Sequence, residues 1–209
     1  MAVSAIFVYI LYKQGTLNCN VYVPFFNVTF YIHPLLYVFF AMFVMVGCDN
    51  AVNITDGVDG LCGTVTLPVM VFFTAAAVAM GKFDLAVLPA ALVGGLIAYL
   101  FYNWHPAKVF MGDTGSLFLG GVICAMAFAL DMPLILILVG LVYIIETLSV
   151  ILQVTYFKLT HGKRIFKMSP IHHHFEMCGW KEVKIVLVFS AVSALMCVLA
   201  WIGIQGRIG

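Results

Sequence analysis

The sequence predicts an all-α polytopic integral membrane protein, a bundle of transmembrane helices with a short periplasmic β-hairpin. Hydrophobic residues make up 64% and charged residues 9% of the 209 positions, whereas a soluble domain averages roughly 45–50% and about 25%. Apolar runs recur along the chain, and polar residues collect in a few segments between them. Together these features indicate one membrane domain over residues 1–209.

Seven apolar runs are expected to cross the bilayer, which requires about 20 residues per helix. They cover residues 2–12, 35–48, 65–80, 85–102, 117–130, 133–157 and 183–204. The runs that begin at Leu35 and Leu117 are short, so we expect their helices to extend into the polar motifs beside them. The alternating residues at Asn20–Val23 predict the hairpin.

If the spans alternate sides, three long polar segments, 49–64, 103–116 and 158–182, face the same compartment. Seven basic residues fall on that side and three on the other. The excess of lysine and arginine identifies the side of the long segments as cytoplasmic. The net charge of +1 and the lack of a basic stripe argue against nucleic-acid binding. The six cysteines form no Cys-x-x-Cys pair, so neither a disulfide framework nor a zinc site is indicated.

The first polar segment has Asn or Asp at every third position from Asn50 to Asp59. Residues three apart share one face of a helix, so amides and carboxylates would be presented together. Gly57 and Gly60 allow a ligand to approach the backbone closely. The alternative is a polar cap that closes a membrane span, which is less favoured because charges near a bilayer are costly.

In the second polar segment, Asp113 lies between Gly112 and Gly115 at the start of an apolar run. A helix N-terminus offers unpaired N–H groups to phosphate, and a carboxylate there can hold Mg²⁺, which prefers oxygen ligands. The alternative is an aspartate that only caps the following helix. Taken alone, the segment fits both interpretations equally well.

The third polar segment carries the run His172–His174 in a basic loop. Adjacent histidines point in different directions, which suits donors around phosphate groups better than metal chelation, for which i, i+4 spacing is typical. In the preceding apolar run, Glu146 and Gln153 lie two turns apart on one helix face. An intramembrane acid indicates either a functional site or a structural hydrogen bond between helices.

Clustered carboxylates, glycine-framed donors and imidazoles on one side of the membrane favour metal-assisted chemistry on a diphosphate. A transporter, the alternative from another class of protein, would instead bury its polar groups near the middle of the bilayer in interrupted helices. A noncatalytic membrane scaffold is the other alternative, and it would tolerate changes at these carboxylates.

The chain closely resembles the phospho-N-acetylmuramoyl-pentapeptide transferases in four stretches, DNAVNITDGVDGL, NWHPAKVFMGDTGSLFLGG, ETLSVILQV and PIHHHFE. The resemblance spans nearly the whole chain. The triple histidine followed by Phe-Glu favours this family over the other polyprenyl-phosphate N-acetylhexosamine-1-phosphate transferases. Those relatives share the aspartate motifs, and a UDP-N-acetylglucosamine:polyprenyl-phosphate sugar-1-phosphate transferase is therefore the alternative among enzymes.

The resemblance implies transfer of phospho-N-acetylmuramoyl-pentapeptide from its UDP-linked donor to undecaprenyl phosphate, with Mg²⁺ as cofactor. The products would be UMP and the first lipid-linked peptidoglycan precursor. It further implies a multi-pass protein of the bacterial inner membrane whose active site faces the cytoplasm. Its partners would be membrane lipids and a second copy of the chain in a homodimer.

By motif, the resemblance implies catalytic roles for Asp113, Asp56, Asp59 and His173. Asp113 would be the magnesium ligand. Substrate binding is implied for Asn53, Gly57, Asn103, Phe110, Gln153, His172 and His174. Phe110 falls where the family stacks an aromatic ring on uracil, and Asn103 where it places a hydrogen-bonding amide.

One departure concerns an adjacent aspartate pair that the family carries on an earlier cytoplasmic loop. This sequence contains no Asp-Asp pair, and its first apolar run begins abruptly at Met1. We therefore expect that N-terminal helices and part of the active site are missing from this chain, which leaves its activity in isolation open.

Overall fold

The computed structural model describes residues 19–208 together with Ile6, Tyr9, Ile10 and Lys13. Six of the described helices are long and apolar enough to cross a membrane, and they are accompanied by a small two-stranded sheet. The predicted fold class, an all-α polytopic membrane protein with a short hairpin, is confirmed. The predicted first span, 2–12, lies mainly outside the described residues.

The hairpin consists of antiparallel strands β1 (Asn20–Val23) and β2 (Val28–Tyr31). The helices follow in the order α1 (Pro34–Thr55), α2 (Leu61–Ala79), α3 (Phe83–Asn103), α4 (Gly112–Ala129), α5 (Leu136–Val139), α6 (Leu141–Leu159), α7 (Ile171–Met177), α8 (Glu182–Gly203) and α9 (Gln205–Ile208). A 3₁₀ turn at Pro133–Ile135 precedes α5.

Two helices extend into the polar motifs beside their apolar runs. Helix α1 continues past residue 48 to Thr55, and α4 begins at Gly112 rather than at Leu117. By contrast, the apolar run 133–157 does not form one helix. It contains the 3₁₀ turn, the short α5 and a break at Gly140 before α6 begins, and glycine is among the residues least favourable to a helix interior.

Helix α2 is the most buried of the six long helices and is joined to its neighbours by polar contacts. Ser193 Oγ of α8 donates to the Val65 carbonyl oxygen at 2.9 Å. The hydroxyl groups of Thr66 and Tyr143, on α2 and α6, are 2.8 Å apart. Hydrogen bonds of this kind between helices help to associate membrane spans that share a uniformly apolar surface.

The hairpin and the short connections lie together at one end of the bundle. Phe25 N–H donates to the carbonyl oxygen of Gly203, the last residue of α8, at 2.9 Å. The Arg207 guanidinium donates a hydrogen bond of 2.8 Å to the backbone carbonyl oxygen of Asp131, which lies in the connection after α4. The Asp131 carboxylate is 3.7 Å from the Nζ atom of Lys82, a residue of the connection after α2. The long polar segments therefore lie at the opposite end.

Candidate functional site

The close crossing of α1 and α4 joins the first two polar segments. A Cβ added to Gly120 would lie 2.7 Å from Asp49 Cα, so a small residue is required for the two backbones to approach this closely. Beyond this crossing, Asn53 Nδ2 donates to Asp113 Oδ1 at 3.0 Å and to Ser116 Oγ at 2.9 Å. Side chains from two distant motifs thus form one polar cluster. Ser116 was not predicted, although it lies three residues after Asp113 on the same helix face.

Asp56 follows α1 directly and interacts electrostatically with Asp113. Burial raises the pKa of the Asp56 carboxyl above its usual value, and the negative charge of Asp113 raises it further. Asp113, bonded to the Asn53 amide that also bonds the Ser116 hydroxyl, and the electrostatically coupled Asp56 form an oxygen-rich donor set. Mg²⁺ prefers such ligands, and a divalent cation would remove the repulsion, so the residues present fit this ion.

Asp59 belongs to a separate polar group. Its Oδ2 accepts a hydrogen bond from Ala107 N–H at 2.9 Å and is 3.2 Å from His105 Nδ1. The same histidine nitrogen is 3.1 Å from Glu182 Oε2. Ligand atoms of the two acids and the histidine lie within 4.8 Å of one another, an arrangement that can also hold a cation. The group ties the loop after α1 to the start of α8.

Asn103 holds two loops together through both ends of its amide. Its Oδ1 accepts from Gly60 N–H at 3.0 Å, and its Nδ2 donates to the Val109 carbonyl oxygen at 2.8 Å. With 4% of its surface exposed, its amide connects the two loops, and the predicted binding of substrate by Asn103 stays a prediction. The adjacent Phe110 is 74% exposed, so its ring face is accessible for stacking.

Gln153 has a similar role in the loop between α6 and α7. Its Oε1 accepts from the N–H groups of Ile165 and Phe166 at 3.0 and 2.9 Å, and its Nε2 donates to the Phe166 carbonyl oxygen at 3.0 Å. It also lines a cavity of about 350 Å³ with Val154, Phe157, Lys158, Arg164, Met168 and Ser169. The cavity thus combines apolar walls with two cationic groups.

The three histidines occupy different environments. His172 has no exposed surface, and its Nδ1 is 3.0 Å from Glu146 Oε2. The ring is enclosed between α6 and α7, and the predicted binding of substrate by His172 stays a prediction. His173 bonds to Glu176 and His174 Nδ1 accepts from the backbone of the preceding loop. Both of these histidines are partly exposed.

Six long apolar helices with a carboxylate-rich site at one end define a multi-pass membrane protein. The sequence profile of glycosyl transferase family 4 matches residues 1–131, and the chain belongs to this family.

Three curated relatives carry the name phospho-N-acetylmuramoyl-pentapeptide-transferase. The chain is 46% identical over 202 residues to the protein of Clostridium acetobutylicum, covering 97% of this chain and 63% of the relative. It is 48% identical over 204 residues to that of Clostridium novyi, covering 98% and 62%. It is 56% identical over 168 residues to that of Carboxydothermus hydrogenoformans, covering 79% and 51%. The chain thus spans between 51% and 63% of the length of these relatives.

Proposed function

We propose that this protein transfers phospho-N-acetylmuramoyl-pentapeptide from UDP to undecaprenyl phosphate, which forms the first lipid-linked precursor of peptidoglycan. The observation that carries the proposal is the cluster of Asn53, Asp56 and Asp113 at one end of α1 and α4. It occurs in a chain 46% to 56% identical to proteins named for this transfer.

In the proposed reaction, an oxygen of the polyprenyl phosphate attacks the phosphorus linked to the sugar, and the bond to the oxygen of UMP breaks. Bound Mg²⁺ supplies neutralisation of the negative charge on the diphosphate. Asp113 would hold the metal, and Asn53 fixes the Asp113 carboxylate through its 3.0 Å hydrogen bond. His173 and His174 offer imidazole donors to phosphate oxygens, and Phe110 stacks on the uracil ring.

We place this site on the cytoplasmic side of a bacterial inner membrane, since most basic residues lie at its end of the bundle. The cavity beside Gln153 suits the lipid acceptor. Lys158 and Arg164 would attract its phosphate, and Val154, Phe157 and Met168 give the apolar walls that a polyprenyl chain requires.

The test is release of UMP from UDP-N-acetylmuramoyl-pentapeptide by the full-length protein, in the presence of undecaprenyl phosphate and Mg²⁺. Asp113→Ala should lower turnover at least about 100-fold, because loss of an outer-shell partner alone typically costs 10–100-fold. Asp84→Ala, which removes a carboxylate from the first turn of α3 at the other end of the bundle, is the control and should remain active. Undiminished turnover of Asp113→Ala would contradict the proposal, and a preference for UDP-N-acetylglucosamine would favour the related hexosamine-phosphate transferases.

A further inference from the structure

Glu146 and His172 form a pair of ionisable side chains that are both completely buried. Glu146 lies on the long helix α6, and His172 lies on the short helix α7 of the histidine loop. Their 3.0 Å contact, between Oε2 and Nδ1, therefore joins a membrane span to a loop at its end. Removing two such groups from water is costly, and the cost is offset only while each remains bonded to the other.

The opposite edge of the His172 ring lies against Gly57. A Cβ added to Gly57 would overlap Nε2 and Cε1 of the imidazole. Gly57 does not adopt a left-handed φ, so the ring, and not the backbone conformation, excludes a side chain at this position. The hydrogen bond between Glu146 and Nδ1 of His172 orients the ring. The same orientation directs Nε2 towards the loop after α1.

The neighbour of Gly57 is Asp56, the carboxyl group that interacts electrostatically with Asp113. The contacts thus run from the membrane helix through one imidazole to Gly57, and Gly57 is joined through its peptide bond to Asp56, which senses the charge of Asp113. We propose that Glu146 is a positioning residue. It fixes the His172 ring, and the ring sets the position of the loop at Gly57, so that Asp56 stays beside Asp113. The inference rests on the proposed function for its metal-binding and turnover readouts, whereas the contact between His172 and Gly57 is tested without either.

A double-mutant cycle tests the contact without any activity measurement. Gly57→Ala should lower the thermal unfolding temperature by about 2–12 °C, as expected for about 1–3 kcal/mol of overpacking in a chain of this size. In a His172→Ala background the same substitution should have little further effect, because the space has been vacated. Gly94→Ala is the matched control, since a Cβ at Gly94 meets nothing within 4 Å. Additive effects of the Gly57 and His172 substitutions would overturn the proposal.

A second experiment tests the consequence for the carboxylates with Mn²⁺ as the probe, titrated in the absence of substrate and followed by electron paramagnetic resonance. Glu146→Leu should weaken Mn²⁺ binding about tenfold or more, the size expected for losing a partner that orients a ligand. Glu146→Gln keeps a side-chain oxygen for His172 and should stay within about threefold of wild type. Thr66→Val, which removes the buried hydroxyl bonded to Tyr143, controls for a general loss of stability and should leave Mn²⁺ affinity unchanged.

The Mg²⁺ concentration for half-maximal UMP release should shift in the same order among these variants. Equal Mn²⁺ affinity in Glu146→Leu and wild type, or equal loss in the Leu and Gln variants, would overturn the positioning role. If the Mn²⁺ shifts appear but wild type releases no UMP, the proposed function fails and the positioning inference stands.

Discussion

At the scale of a single residue, Asp56 shows how the fold disfavours ionisation of one carboxyl group. Its burial and the charge of Asp113 both raise the pKa of its carboxyl, so the folded protein keeps this proton at pH values where the unfolded chain has lost it. Because the folded state then binds more protons, its stability falls as pH rises through the folded pKa. Below the unfolded aspartate pKa of about 3.9 this cost is absent.

Asp56→Asn should therefore raise the thermal unfolding temperature at neutral pH in the presence of a chelator, because the amide cannot ionise. The gain should shrink as the pH is lowered towards about 4, where both states of wild type are protonated. Mg²⁺ should stabilise wild type more than the variant, since it binds the folded state. Asp84→Asn, at the other end of the bundle, is the control. The same pH dependence in both variants, measured by thermal unfolding in detergent, would show that Asp56 carries no such cost.

At the scale of secondary-structure elements, the crossing of α1 and α4 decides whether Asn53 reaches Asp113. We expect Gly120→Ala to destabilise the protein by about 1–3 kcal/mol, because its Cβ would lie 2.7 Å from Asp49 Cα. Gly121→Ala is the adjacent control, with its nearest contact at 3.6 Å, and should be nearly neutral. Thermal unfolding of both variants measures the difference, and equal stability would refute the close crossing.

The loop between α6 and α7 is held by three hydrogen bonds between the Gln153 side chain and the loop backbone. Gln153→Leu leaves the N–H groups of Ile165 and Phe166 without this partner, so the loop should open more often. Limited trypsin digestion should then cut after Lys163 and Arg164 several-fold faster than in wild type. Gln205→Leu, near the hairpin end of the bundle, should not change the rate. Equal digestion of both variants would mean that Gln153 does not hold the loop.

At the scale of the whole molecule, the sequence alone predicted the fold class and predicted that the polar motifs lie at one end of the bundle. Counting the spans placed the three motifs on one side, and the short apolar runs indicated that α1 and α4 continue into them. The sequence did not predict which face of each helix points inward. In a membrane helix the lipid-facing and core-facing sides are both apolar, so periodicity carries little information about rotation.

Contacts between side chains of different helices were not predicted because the sequence does not show how each helix is rotated about its axis. The contact of Glu182 with His105, which also contacts Asp59, requires α8 to begin beside the loop after α1, and no local sequence pattern encodes this. The burial of His172 depends likewise on the orientation of α6, which turns Glu146 towards the histidine loop. The break at Gly140 was missed because the surrounding residues remain apolar on both sides of it.

In the proposed function the three polar segments surround one bound metal ion. Replacing Mg²⁺ with Fe²⁺ and adding ascorbate and peroxide generates radicals that cut the backbone close to the ion, so the cut positions can be read by mass spectrometry. We expect cuts near Asp56, Asp113 and His173, all suppressed by excess Mg²⁺ and all lost together in Asp113→Asn. Cuts confined to one segment, or a pattern unaffected by Mg²⁺ and by that substitution, would contradict a shared site.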